Sequence, residues 1–170
     1  KYFSILILPI IAYISFTSKG WLTHLPAIVF FGFVPFLEFF IQPNTENFTK
    51  EQEKEEKENK LYTYLLYLTL PIQITFLIFF FYAIQETGLT TSELIGRIFG
   101  MGIMCGVIGI NVGHELGHRN NRVDEFIGEV LLLTSLNTHF LPYHNGGHHY
   151  NVATPKDAAT ARKNEVLFTF

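Results

Sequence analysis

The sequence predicts an all-α integral-membrane bundle, with four spanning helices followed by a cytoplasmic, histidine-rich helical segment. Three observations predict it. Of 170 residues, 48% are hydrophobic and 18 are Phe, a composition too apolar for an ordinary soluble domain. The apolar residues gather into four runs, 2–18, 21–41, 61–84 and 94–113. Each run approaches the roughly 20 residues that a helix rising about 1.5 Å per residue needs to cross the hydrocarbon core. Finally, alternating these spans puts Lys1, Lys50, Lys54, Lys57, Lys60, Arg119, Arg122, Lys156, Arg162 and Lys163 on one side, and only Lys19 in the short loops opposite. The positive-inside rule makes the first side cytoplasmic.

The first run has no small-residue cleavage site and is followed at once by a second full-length run, so it reads as a membrane helix and not as a signal peptide. Pro9, Pro26, Pro35 and Pro71 are compatible with spans, because neighbouring groups in a membrane bundle re-satisfy the carbonyls that proline frees. Between the second and third runs, Glu46/Lys50, Glu53/Lys57 and Glu56/Lys60 are favourable i,i+4 pairs and predict a solvated connecting helix over 44–60. The third run is uninterrupted by charge. Arg97, near the outer end of the fourth, is expected to snorkel to the interface. In the same run Gly102 and Gly106 make a small-xxx-small pair suited to a close helix crossing. After a break at Arg119-Asn-Asn-Arg122, residues 125–136 read as a shorter apolar helix, and 114–170 as cytoplasmic. The whole is read as one membrane-embedded domain, 1–170. The absence of an initial Met and the apolar end Val166-Leu-Phe-Thr-Phe170 lead us to expect a piece of a longer protein.

A net charge of −3 offers no basic field for nucleic acid, and a lone Cys105 can form no intrachain disulfide. The chemistry lies in the histidines. Of seven, five fall in two groups: His114 and His118 in HELGHR, and His144, His148 and His149 in HNGGHH. At i,i+4, His114 and His118 share one helix face and can reach a single metal. His144 and His148 repeat that spacing, and His149 would point about 100° away on a regular helix. Imidazole suits Fe, Zn, Cu and Ni alike, so ligand type does not choose the metal. His139 is off these spacings and fits support of a ligand better than ligation; His24 stands alone in the second span. HELGH also matches the zinc-protease pattern, with Glu115 as general base, although three further histidines are more than such a site uses. A b-type haem carrier would need histidines facing each other from separate spans.

GINVGHELGHR (109–119) together with HNGGHHYNVATPKDAATAR (144–162) resembles the alkane 1-monooxygenases of the membrane fatty-acid desaturase/hydroxylase superfamily. The tail from Val152 to Arg162 is the part that resembles the alkane branch, and the resemblance covers the N-terminal half or so of a family member. It implies a non-haem di-iron centre, two irons per complete protein, with His114, His118, His144, His148 and His149 as metal-holding, catalytic residues. It further implies O2-dependent terminal hydroxylation of n-alkanes to 1-alkanols, with electrons from rubredoxin, in the bacterial inner membrane with the site facing the cytoplasm. A fatty-acyl desaturase or hydroxylase of the same superfamily and a membrane zinc metallopeptidase are the alternatives. The family carries a further histidine box that this chain does not contain, so this chain alone is expected to be inactive. Tyr143 and Gly146 stand where the family has Glu and Arg. Glu38, in an apolar run, and Asp157 are candidates to support the ligands, with Arg119 or Arg122 as possible partners of Glu38. Phe30, Phe31 and Phe33, with Phe36 and Phe40, are candidate walls of an apolar tunnel opening to the bilayer. Lys156, Arg162 and Lys163 offer charge to an acidic electron donor.

Overall fold

The computed structural model describes residues 5–41, 47, 49 and 60–169, and every regular element among them is helical. The connecting helix expected over 44–60 falls almost wholly outside these residues. Three helices are long and apolar enough to cross a membrane: α2 (Gly20–Glu38), α3 (Lys60–Ala83) and α4 (Thr91–Gly117). The first apolar run gives α1 (Ile7–Thr17), whose 11 residues rise only about 16 Å, short of the hydrocarbon thickness of roughly 30 Å. It ends at Ser18, and Gly20, at φ +64°, turns the chain into α2 with a backbone sign that other residues adopt at a cost.

α1 buries Leu8, Ala12, Ser15 and Phe16. Phe16 meets Phe76, Phe79 and Phe80 of α3 with ring centroids 5.6–6.3 Å apart, the tilted and edge-on geometry that the aromatic quadrupole favours. α2 is irregular. It opens with a 3₁₀ turn, and a π-helical turn at Ile28–Phe33 lies just before Pro35, whose ring and missing N–H would clash with a regular i→i−4 ladder.

The C-terminal ends of α1 and α3 meet the first half of α4 on one side chain. Arg97 is fully buried, donating to the carbonyls of Ala83 (2.6 Å) and Ser18 (2.9 Å) and to the Glu86 carboxylate (2.8 Å), which also pairs with Lys19 at 3.4 Å. It does not snorkel as expected. Ala83 and Ser18 close two helices, and terminal carbonyls carry the negative end of the helix dipole. A guanidinium placed between them finds acceptors that would otherwise lack donors. A few residues away, Thr90 and Glu93 form a reciprocal capping box at the start of α4, and Glu93 also accepts from the Gly20 N–H at 2.7 Å.

After α4 the chain turns back on itself. Helix α5 (Arg122–Thr134) begins with Asn121 accepting from Val123 N–H and then runs antiparallel along the C-terminal half of α4. Ser135 donates to the Cys105 carbonyl at 3.1 Å, nine residues, or about 13 Å of helix, back from His114. Two glycines allow this approach. A Cβ on Gly113 would lie 2.9 Å from Leu132 and 3.0 Å from the Gly128 carbonyl, and one on Gly128 would lie 2.8 Å from the Gly113 carbonyl. Gly102 and Gly106, the pair expected to mark the crossing, have open space instead. They are on another face of the same helix. Gly113→Val should therefore lower stability by about 1–3 kcal/mol, the usual cost of overpacking, whereas Gly102→Ala should leave it within about 0.5 kcal/mol. Thermal melts of the two variants in detergent check the contrast.

Polar ties fix α3 against this pair. Tyr67 donates to the buried Asp124 carboxylate. Gln73, buried in mid-span, donates to Thr134 Oγ1 at 3.2 Å and approaches Cys105 Sγ at 3.6 Å. Arg119, just past the end of α4, donates to Thr63 (3.1 Å), pairs with Glu115 (3.6 Å) and lies 5.7 Å over the Tyr62 ring.

Candidate metal centre

α4 delivers the first two histidines. It widens into a π-helical stretch at Cys105–Val112, then resumes regular winding over Gly113–Gly117. That last turn sets His114 and His118 one above the other, with their Nε2 atoms 2.6 Å apart. Helix α6 (residues 140–151) brings the others. It is anchored where Leu141 packs on Gly117 and Asn145 Nδ2 donates to the Gly117 carbonyl at 3.1 Å.

His144 Nε2 lies 2.7 Å from His114 Nε2 and 3.3 Å from His118 Nε2, and His149 Nε2 lies 3.0 Å from His144 Nε2. Three ring nitrogens, those of His114, His118 and His144, thus converge within ligand distance of one point, and His149 adjoins them through His144. The expected pairing of His144 with His148 gives way to His144 with His149. The cause is local: residues 144–148 form a π turn, closed by the His149 N–H bonding to the His144 carbonyl. In an i→i+5 turn the residue five along, and not four, comes round to the same side. His148 is turned elsewhere, its Nδ1 2.8 Å from Asp157 Oδ2.

The electrostatics of the cluster favour a cation. A ring nitrogen has one in-plane hydrogen or lone pair, so His144 Nε2 cannot satisfy three neighbouring nitrogens by hydrogen bonding. Imidazoles sharing one metal at about 2.1 Å sit roughly 3.0–3.4 Å apart, close to the separations here. Burial, reinforced by His114, His149 and His118, pushes the His144 pKa down to about 4. It is therefore neutral at physiological pH, with its lone pair free. The residues present fit a divalent metal.

Phe140 completes the site and was not singled out in the sequence. Its ring stacks on His144 (4.8 Å between centroids, 15° between planes) and meets His114 edge-on at 5.4 Å. It excludes water on that side and limits how far His144 can turn. Its position four residues before His144 was the available signal. His139 is exposed at the start of α6 and joins no ring or polar contact of the cluster. Glu38 is exposed and pairs with no described residue; Arg119, one of its expected partners, is taken by Glu115 and Thr63. Tyr143 and Gly146 lie on the exposed side of α6, and a Cβ at Gly146 would meet open space. Phe30 and Phe31 line an apolar groove of about 640 Å³ with Ile98, Phe99, Ile103 and Val107 of α4, floored by Gly102 and Gly106. Phe33 does not reach it, and Phe36 and Phe40 pack on each other at 5.1 Å in the open.

No protein-family model matches the chain. Curated proteins do. The chain is 31% identical over 164 residues to alkane 1-monooxygenase 1 of Alcanivorax borkumensis, covering 95% of its own length and 40% of that protein's. Its curated relatives are alkane 1-monooxygenases. The Pseudomonas putida alkane 1-monooxygenase is 30% identical over 154 residues, 91% of this chain and 38% of the relative. An alkane 1-monooxygenase 1 of Pseudomonas aeruginosa is 33% identical over 147 residues, 84% of this chain and 38% of the relative. The chain thus spans about 40% of the length of the alkane 1-monooxygenases it matches, and the similarity takes in the spans as well as the histidine-bearing turns.

Proposed function

We propose that this chain is the histidine-bearing membrane part of an alkane hydroxylase that uses O2 and two electrons to convert an n-alkane to its 1-alkanol and water. The observation that carries the proposal is the convergence of three imidazole nitrogens, with His149 beside one of them, at the end of a helix long and apolar enough to span a bilayer. His114, His118, His144 and His149 would hold one iron, and His148, set apart beside Asp157, would serve a second. Bound iron supplies the O2 reduction and C–H oxidation that amino-acid side chains do not perform.

The remaining tasks fall to this chain. An alkane has no polar handle, so it must be recognised by burial, worth about 0.8 kcal/mol per CH2. The groove between α2 and α4 fits that role, being apolar and open on its outer side. Its Val107 end lies seven residues from His114, about 10 Å along the helix, so one helix carries both the substrate wall and the metal ligands. Phe140 keeps water from the methyl-facing side of the rings. The orientation rule places the centre on the cytoplasmic side of the bacterial inner membrane, where rubredoxin can reach it and where Lys156, Arg162 and Lys163 are exposed. The Glu115 carboxylate pairs with Arg119 at 3.6 Å.

The test is metal analysis of the full-length protein in detergent, together with product analysis of cells given octane or hexadecane. Iron in the protein and 1-alkanol in the medium are the expected results. Zinc at one per chain without iron would overturn the oxygenase reading in favour of a peptidase. Unsaturated membrane lipid without alkanol would indicate a desaturase.

A further inference from the structure

We propose that Asp157 is the positioning residue for His148, locking its imidazole in the Nδ1–H tautomer so that only Nε2 is offered to a metal. The proposal rests on the metal-centre reading above and assigns a job to the stretch that follows the second histidine group.

The Asp157 side chain is 1% exposed. A carboxylate so far from water needs donors for its oxygens, and it has three: His148 Nδ1 at 2.8 Å, the Thr160 hydroxyl, and the Ala159 N–H at 3.0 Å. With a hydroxyl and a backbone N–H already donating to its oxygens, the carboxylate is the acceptor in the contact with His148. Facing an obligate acceptor, Nδ1 must carry the hydrogen. Nε2 is then the only lone pair His148 has.

The loop is built around this contact. Asn151 Nδ2 donates to the Gly147 carbonyl at 2.8 Å, and Thr154 Oγ1 to the Asn151 carbonyl at 2.6 Å, tying the loop's start to α6. At its end Thr160 Oγ1 accepts from the Ala153 N–H at 3.0 Å while donating to Asp157. Ala153 is held at φ +63°, a left-handed conformation that a non-glycine residue adopts only when its surroundings compel it. Residues 151–160 therefore form a strap folded under one histidine. Carboxylate partners of this kind fix the orientation of a metal-binding imidazole and raise its basicity. The other four histidines of the two groups have no such carboxylate hydrogen bond among the described residues; they are ordered by one another and by Phe140.

The experiment uses the full-length protein in detergent with ¹⁵N-labelled histidine. In the metal-free wild type, His148 is expected to show a protonated Nδ1 and a bare Nε2. Asp157→Asn, whose amide can present either a donor or an acceptor, should give a mixture of tautomers, and Thr160→Val a smaller change in the same direction. With iron restored and a competing chelator present, Asp157→Asn should weaken one of two iron positions by about 10- to 100-fold and leave the other unchanged, with Asp157→Glu recovering part of the loss. A purely structural role for Asp157 would weaken both positions together. An unchanged tautomer in Asp157→Asn overturns the proposal, as does equal weakening of both irons; if that variant does not fold, an unchanged tautomer in Thr160→Val overturns it. A wild type with the expected tautomer that binds no iron would uphold the Asp157–His148 assignment and sink the metal-centre reading instead.

Discussion

Replacing His144 with alanine is expected to abolish metal retention and alkanol formation together. His144 is the hub of the cluster: its Nε2 lies within 3.3 Å of the ring nitrogens of His114, His118 and His149, so its loss leaves no nitrogen bridging the α4 pair to α6. The expected fall in iron affinity exceeds about 100-fold, the upper end of what loss of a mere supporting partner costs. Metal-free stability should move the other way or not at all. Burial and its three neighbours already disfavour a charged His144, whose pKa is held near 4, and the metal-free fold gains nothing from crowding these nitrogens. A melting temperature that is unchanged without iron but no longer rises when iron is added would show both effects in one instrument, since a ligand stabilises only the state that binds it. His139→Ala is the control: that ring is exposed and outside the cluster, and iron content should be unchanged. Loss of iron there would contradict the geometry.

The second large effect is expected far from the histidines. Arg97→Leu should cost about 3 kcal/mol, because it strands the Ala83 and Ser18 carbonyls without donors in the interior and frees Glu86. Arg97→Lys should recover little, since one ammonium cannot span two helix ends and a carboxylate as the planar fork does. The same tie predicts an acid limit. Hydrogen bonding from Arg97, aided by Lys19, holds the Glu86 pKa below its ordinary value of 4.5. For a carboxylate lowered in the folded state, the stabilisation is present above the unfolded value and lost as pH falls through the folded one. The end of the bundle around Arg97 should therefore loosen only as pH falls below the ordinary Glu86 value of 4.5, and Glu86→Gln should remove that pH dependence. Melts recorded from pH 7 to 3 measure it; a Glu86→Gln protein with the wild-type acid profile would contradict the assignment.

Much of this arrangement was legible in the residues. Long apolar runs announce helices because no bilayer-compatible alternative satisfies their backbone, and α2, α3 and α4 lie where the runs lie. The limits are equally physical. Hydropathy counts apolar residues but does not show where hydrogen bonding stops, so the run 2–18 is longer than α1 as described. Residues 125–136 read as a helix, but nothing local reveals that Tyr67 donates to Asp124 or that Gly113 and Gly128 admit the helix beside α4. Gly102/Gly106 and Gly109/Gly113 have the same spacing, so the sequence alone could not say which face is packed. At the site, all five histidines were visible as a group, but their division into four and one depends on a π turn, which no periodicity of 3.6 anticipates. Asp157 is nine residues from His148, beyond any regular spacing.

That π turn changes what a one-residue deletion would do. In a regular helix, removing a residue rotates everything downstream by about 100° and would scatter a set of ligands. Here the turn from His144 to His149 already holds one residue more than an α turn, and Gly146 occupies it with open space around it. Deleting Gly146 would let the helix close as an ordinary i,i+4 turn with today's His144 and His149 still in phase. The surplus residue is thus not needed to bring His149 beside His144. What it adds is angular room, a third ring direction within one turn, and the imidazole using that direction is His148.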